Sequence, residues 1–347
     1  MRRPVYLATL AAGASVTFDI TVTLSARAQG TATNTFSASV LQGPAAVVAN
    51  NSTAVVDNRG GAYTAFTSDG DRVGVAADFV GDTLTFSGNG ADVAAPFTLQ
   101  SFGSAYLTGA NSSLLAHRDL LGCTAPRGGG RPVFIAGRTF IASIAALDGH
   151  AFNTFEIDSP TGGTPASRVQ TAVFSGSTMQ VCADSAFHTI ATCPAASLRH
   201  YDLTLADTVF TGIDAADADT VTFQVAQSNG TLVLLRAEAT SVGRVFQVDL
   251  SANPGIVSNL LHGGDTAGHW GNLNLNPGTL QENRALPDGS TISQYDADRV
   301  SVAGAPAGVA SSALAAGPIY LAEDGDIAIL MGQPGGGVDG LLQLFAY

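Results

Sequence analysis

Thr220-Val221-Thr222-Phe223-Gln224-Val225-Ala226-Gln227-Ser228-Asn229-Gly230-Thr231-Leu232-Val233-Leu234-Leu235 is the stretch that decides the fold of this chain. Val221, Phe223 and Val225 alternate with polar side chains up to Asn229-Gly230, and an apolar run resumes over Leu232 to Leu235. Side chains that switch sides at every second position mark a strand, because successive Cβ atoms of an extended backbone point to opposite faces. Asn-Gly between two such runs is the strongest short-range hairpin signal, since both central positions of a two-residue turn tolerate positive φ.

The same grammar recurs outward from this hairpin. Residues 63–67 run into Ser68-Asp69-Gly70-Asp71, and Val73 and Val75 alternate beyond it. Leu84 and Phe86 precede Asn89-Gly90, Asp288-Gly289 sits in similar surroundings, and Asp324-Gly325 leads into Ile327, Ile329 and Met331. Such spacing points to antiparallel meanders closed into barrels or sandwiches. Helical patterning is weak, and only residues 112–121 and 140–147 are expected as short helices. Near the start, Val16, Phe18, Ile20, Val22 and Leu24 alternate strictly with Ser15, Thr17, Asp19, Thr21 and Thr23. Met1-Arg2-Arg3 and Ala26-Arg27-Ala28 also suit a signal peptide and its cleavage site. Asp19 inside the apolar segment, together with the period of two, favours a strand.

The residues around that strand carry a resemblance. Gly13-Ala14-Ser15-Val16-Thr17-Phe18, Gly30-Thr31-Ala32-Thr33-Asn34 and Asn50-Asn51-Ser52-Thr53-Ala54 resemble the second half of a bacterial conserved-repeat domain, the domain of unknown function eleven. The likeness spans residues 5–57, with further strands expected at 33–40 and 52–56. It implies an immunoglobulin-like sandwich that serves as an extracellular spacer, and it supplies no catalytic residue. Only three or four of about seven sandwich strands are legible. The chain is therefore expected to be a fragment of a longer exported protein, without its own signal peptide. The fold expectation is all-β: a partial immunoglobulin-like sandwich over 1–58, then antiparallel β-meander barrel or sandwich units over 59–347. Breaks at Gly128-Gly129-Gly130 and at residues 240–243 suggest up to two barrel-like units, with a central meander at 131–240.

Composition narrows the function. The 347 residues exceed the usual size of one core. Hydrophobic residues reach 46% and charged ones only 12%, about half the usual share. The net charge is −13, and all fifteen basic residues are Arg, a bias that suits a GC-rich, Gram-negative genome. A surface this acidic repels phosphate backbones and anionic lipid, which argues against nucleic-acid partners. No run of 18 apolar residues forms a transmembrane helix.

Candidate chemistry is sparse. His262-Gly263-Gly264-Asp265 followed by His269-Trp270 is the most site-like stretch, with two imidazoles, a carboxylate and the only Trp as candidate ligand-binding groups. The competing reading is a Gly-rich loop anchored by Trp270. Asp214, Asp217 and Asp219 are a candidate metal cluster, although the run lacks the spacing and the Gly of a calcium loop and suits a solvated hairpin tip. Cys182 and Cys193 are a candidate disulfide, worth about 3 kcal/mol in an oxidising compartment. No Gly-x-Ser-x-Gly elbow and no phosphate-binding Gly loop is present, and no cofactor is implied. The C-terminal run Leu341-Leu342-Gln343-Leu344-Phe345-Ala346-Tyr347 ends on an aromatic, as outer-membrane strands do, but the thin aromatic content favours a last core strand.

The expectation is a non-catalytic extracellular or cell-surface protein, structural or adhesive, with surface glycans or other surface proteins as partners. The alternative is a binding module that holds a glycan or small apolar ligand in a β-barrel or sandwich cleft, and the third reading is a secreted hydrolase. A lined pocket on the order of a few hundred Å3 would favour binding over a purely structural role.

Overall fold

The computed structural model describes residues 30–38, 47–55, 59–88, 92–99, 105–107, 112–117, 119–124, 132–184, 186–228, 230–252, 260–276, 278–285, 290–314, 316–324 and 327–346. The chain divides into two compact units, Met1–Val56 and Asp57–Tyr347. In the first, β1 (Gly30–Ala38) and β2 (Val47–Val55) form an antiparallel ladder, with Gly30 opposite Val55 and Ala38 opposite Val47. The strand expected at residues 15–24 lies outside the described residues.

The second unit is all-β and is built from three barrel-like meanders. The first barrel closes β3 (Gly61–Thr67), β4 (Arg72–Asp78), β5 (Thr83–Ser87), β6 (Val93–Leu99), β7 (Ala105–Leu107), β8 (Ser112–His117), β9 (Leu120–Thr124) and β10 (Val133–Gly137), with β10 pairing back onto β3. The second closes β11 (Ala151–Pro160), β12 (Ala166–Ser175), β13 (Thr178–Asp184), β14 (Leu198–Ala206), β15 (Val209–Asp214), β16 (Thr220–Ser228), β17 (Thr231–Ala239) and β18 (Gly243–Ser251), with β18 against β11.

The third is a nine-stranded sheet of β19 (Leu260–Asp265), β20 (Trp270–Asn276), β21 (Thr279–Ala285), β22 (Thr291–Asp298), β23 (Val300–Ser301), β24 (Val309–Leu314), β25 (Gly317–Asp324), β26 (Ile327–Gly332) and β27 (Leu342–Ala346). Its two edges are β22 and β23, and a single residue, Arg299, separates them in sequence. One bent strand therefore pairs with β21 before Arg299 and with β24 after it, which curls the sheet back on itself. Ser312 Oγ donates to the Asp298 carbonyl at 2.8 Å, the Arg299 N–H donates to Gly278 at 2.8 Å, and the Arg299 guanidinium pairs with buried Glu323.

Several expectations change at this level. The described residues of 112–121 form no helix: they supply β8 and the start of β9, with Leu114, Ala116 and Leu121 turned into the first barrel's core. In 140–147, only Ile144–Leu147 makes a turn of 3-10 helix. The barrel found near the expected central meander at 131–240 runs from Ala151 to Ser251, and Val133–Gly137 closes the barrel before it. The break at 240–243 is the tight turn between β17 and β18, where Thr240 N–H donates to the Gly243 carbonyl at 2.8 Å. Turn residues mark a reversal of the chain equally well inside a domain and between domains.

Alternation within each barrel sends one set of side chains inward and the other outward. Phe134, Phe86, Val75 and Leu84 fill the first barrel, and Leu261, Leu273, Leu321 and Phe345 fill the third. Much of the outward set is also buried. Val133 and Ile135 of the first barrel, Phe155, Val233 and Val248 of the second, and Ile329, Met331 and Leu344 of the third share one apolar cluster. Strands buried on both faces read as continuous apolar runs, as in β10, β26 and β27.

A disulfide joins Cys182 of β13 to Cys193, beyond a 3-10 turn at Ile190–Thr192. It ties down the β13–β14 connection, which carries Phe187 edge-on between Phe155 of the second barrel and Tyr320 of the third, at 5.4 and 5.2 Å between ring centroids. Burying that ring contributes about 2 kcal/mol. Among the described residues, no helix is long and apolar enough to cross a membrane.

Glycine is required where the curled β19 meets β27. A Cβ at Gly263 would overlap the Leu344 carbonyl oxygen, whereas one at Gly162, in an exposed turn, would meet nothing within 4 Å. Gly263→Ala is expected to lower stability by about 3 kcal/mol or more, because rigid backbone must move. Gly162→Ala costs only its positive φ, about 1 kcal/mol. Paired chemical denaturation curves of the two variants check this ordering.

Candidate functional site

Eight strands enclose an interior just wide enough to be filled by side chains or to hold one small ligand. Strand length decides between these outcomes here. In the first barrel the strands run three to seven residues, while in the second β11 and β12 run ten and β14, β16, β17 and β18 run nine. The extra length adds layers to the lumen beyond its apolar floor.

That floor is aromatic. Phe152, Phe174, Phe210 and Phe223 pack together, with Phe210 and Phe223 stacked at 5.2 Å and Phe152 edge-on to Phe174 at 5.5 Å. Above it, the inward positions of the long strands turn polar and surround a cavity of about 290 Å3. β11 contributes Thr154, Glu156 and Asp158; β12 contributes Arg168 and Gln170; β17 contributes Arg236; β18 contributes Gln247 and Asp249. Across the lumen stand Arg199 and Tyr201 of β14, with Asp219 and Phe223.

Register explains the arrangement. Glu156 lies opposite Arg168 on one side and Gln247 on the other, and Gln247 lies opposite Arg236, so these four residues form one inward layer across four strands. The layer beneath is Gln170, Thr154, Asp249 and Leu234. Arg236 Nη1 stands 3.5 Å from Glu156, and its Nη2 donates to Glu238 at 2.9 Å. Arg168 Nη2 donates to Asp158 at 2.6 Å, while its Nε is 3.9 Å from Glu156. Gln247 Nε2 donates to both oxygens of fully buried Asp249, at 3.0 and 3.1 Å.

Burial governs the titration of these groups. It pushes the Asp249 carboxyl up to about 8, with the Gln247 hydrogen bonds opposing. Glu156 is likewise raised by burial, against the pull of Arg236 and Arg168. Tyr201 rises to about 12 through burial and the neighbouring Asp219, whose carboxylate its hydroxyl contacts at 3.3 Å.

The residues singled out in sequence lie elsewhere, with one exception. Asp214, Asp217 and Asp219 form the β15–β16 hairpin tip. Asp214 Oδ1 accepts from Ala216 N–H at 2.9 Å, Asp217 Oδ1 accepts from Asp219 N–H at 3.0 Å, and Arg199 donates to Asp217 at 2.6 Å. Only Asp219 reaches the cavity wall. No group of three His, Cys, Asp or Glu is placed to hold a metal among the described residues.

His262 and Asp265 lie three positions apart on β19, so alternation puts Asp265 on the inner face and His262 on the outer. Asp265 accepts from the His269 and Ala267 N–H groups at 2.9 Å and stands 2.8 Å from His269 Nδ1. With Trp270, Glu282, Gln343 and Phe345 they fill the end of the third lumen, leaving no room for a water molecule.

Glu156, Arg168, Arg236 and Asp249 escaped the sequence reading. Their signal is an inverted alternation, Thr154-Phe155-Glu156-Ile157-Asp158 and Phe246-Gln247-Val248-Asp249-Leu250, in a chain poor in charge. No protein family, no curated protein and no solved structure matches the chain.

The raised Asp249 fixes a sign for stability. The folded chain holds a proton that the unfolded carboxylate has lost above its ordinary value near 3.8. Stability therefore falls as pH rises from about 4 to about 8, by up to about 1.4 kcal/mol per pH unit, and levels off above. Asp249→Asn is expected to flatten this decline and to melt above the native chain at pH 8. Melting curves across that range test it, and an unchanged pH slope counts against it.

Proposed function

We propose that this chain is a non-catalytic, exported bacterial surface protein whose second barrel captures a saccharide-sized ligand, such as one unit of a surface glycan. The cavity of about 290 Å3 in that lumen carries the reading. A concave site with an apolar wall and a few convergent polar groups is the usual form of a small-ligand site. Phe223 and Tyr201 offer an aromatic surface for the face of a sugar ring, and Arg168, Arg236, Gln170 and Gln247 offer polar edges for hydroxyls. The Cys182–Cys193 bridge suits an oxidising compartment outside the cytoplasm. In this proposal the first unit is the end of an immunoglobulin-like spacer, and the filled first and third barrels serve as scaffold.

Hydrolysis is the second reading, because Glu156 and Asp249 line one cavity and glycoside cleavage uses two carboxyl groups. Asp249 is fully buried and both its oxygens are occupied by Gln247, so it is poorly placed to give a proton to a glycosidic oxygen. That geometry favours binding.

Ala172, buried on β12 beneath the polar layers, lines the cavity. Ala172→Phe is expected to occupy the lumen with a stability change under about 1 kcal/mol, because the space exists, whereas overpacking a filled core costs about 1–3 kcal/mol. Glycan-array binding should be lost while the strand signature in circular dichroism persists. Undiminished binding by this variant would remove the lumen from consideration.

A further inference from the structure

Donors and acceptors around the second lumen do not balance. Glu156 is 4% exposed and lines the cavity, yet it receives no hydrogen bond. Its guanidinium neighbours stand at 3.5 and 3.9 Å, beyond hydrogen-bond length. Their Nη2 groups are engaged elsewhere, Arg236 on Glu238 at 2.9 Å and Arg168 on Asp158 at 2.6 Å, and Arg236 Nε makes no hydrogen bond among the described residues. Arg199 is held by Asp217 at 2.6 Å, and the Tyr201 hydroxyl turns to Asp219. Asp249 accepts from Gln247 at both oxygens and keeps its proton near pH 7, so Glu156 is the carboxylate left to satisfy. Among the described residues, the carboxylates Glu156, Asp158 and Asp219 line the cavity, and Glu238, Asp214 and Asp217 stand beside its arginines, against Arg168, Arg199 and Arg236.

A buried carboxylate held only by ion pairs longer than a hydrogen bond is incompletely compensated, and a guest that brings a hydrogen-bond donor relieves the cost. An ammonium group carries three donors, no acceptor and a positive charge. A hydroxyl brings one donor, and a carboxylate brings acceptors and more negative charge. The arginines at the mouth, half-exposed as Arg168 and Arg199 are, would draw an anion if they were free, but each already holds a carboxylate at 2.6 Å.

We infer that the ligand of the second barrel bears a protonated amine, seated against Glu156, so that the site is one for a sugar with a free amino group. This rests on the saccharide reading of the lumen. Glu156 supplies the primary contact and Phe223 with Tyr201 the apolar wall, while the ion-paired arginines line the rim for the remaining hydroxyls.

Isothermal titration of the full chain near pH 7 with glucosamine, galactosamine, glucose, N-acetylglucosamine and glucuronate tests the inference on one ring framework. The two amines are expected to bind about tenfold tighter or more than glucose, as charge-assisted hydrogen bonds exceed neutral ones. N-acetylglucosamine, which has lost the charge, should bind like glucose, and glucuronate should bind weakest. Glu156→Gln should bring glucosamine down to the level of glucose, and lowering the pH until Glu156 takes up a proton should do the same in the native chain. That pH series tests whether a cavity carboxylate holds the amine even if the variant fails to fold, and Glu156→Asp, which keeps the charge, should keep the preference for glucosamine over glucose. Glucose binding as tightly as glucosamine, or glucuronate binding tighter, overturns the amine and leaves the saccharide site standing. No heat from any of the five sugars overturns both.

Discussion

Burial of the barrels' outer faces against one another is the constraint on which the rest of this structure depends. A closed barrel of eight strands satisfies its backbone hydrogen bonds and leaves no edge, so what remains to be decided is what covers its outside. Phe155, Ile157, Val233, Leu235, Phe246 and Val248 face outward from the second barrel into an apolar cluster shared with the first and third. Phe187, held on a loop tied down by the Cys182–Cys193 bridge, closes the contact with Tyr320. If those faces met water, the apolar runs of β10, β17, β26 and β27 would be an aggregation hazard rather than a core.

The same constraint makes the polar lumen possible. Once the apolar set of β11 and β18 is turned outward, the other set must point into the barrel, whatever its chemistry. Near the floor that set is Phe152, and further along it is Thr154, Glu156, Gln247 and Asp249. A filled apolar lumen would have made a more stable barrel. Retaining buried carboxyl groups there has a cost, visible in the upward pull of burial on Glu156 and Asp249. The third barrel shows the contrasting outcome, in which Gln343 donates to Glu282 at 2.7 Å and the polar end of the lumen is packed shut. Retained polarity beside open volume distinguishes the second lumen from the packed end of the third.

Legibility of the fold followed the regularity of each segment. The hairpin at Thr220–Ser228 and Thr231–Ala239 was read from Asn229-Gly230 and from its alternating flanks, and the strands are those expected. Residues 112–121 misled because Leu114-Leu115 and Leu120-Leu121 are spaced for a helix as well as for two short strands, and only pairing with β7 and β10 selects the latter. Barrel boundaries were illegible because the turn at 240–243 carries Thr, Ser and Gly as a linker does. The His262 to Trp270 stretch attracted attention through rare residue types. The candidate site in the second barrel uses Arg, Glu, Gln and Asp scattered over five strands, about 80 residues apart in sequence between Glu156 and Arg236.

By itself, the sequence determined that this protein is a succession of antiparallel strands joined by tight turns, because a period of two and glycine-tolerant reversals are local properties of the chain. Which face of each strand turns inward, how many barrels the strands close into, and that Glu156 and Asp249 share a lumen were decided only by tertiary structure. Alternation defines two faces and is silent on which one meets water, lumen or a neighbouring barrel. Ring closure between β11 and β18, and the packing of two closed barrels and one curled sheet outer face to outer face, supplied that choice.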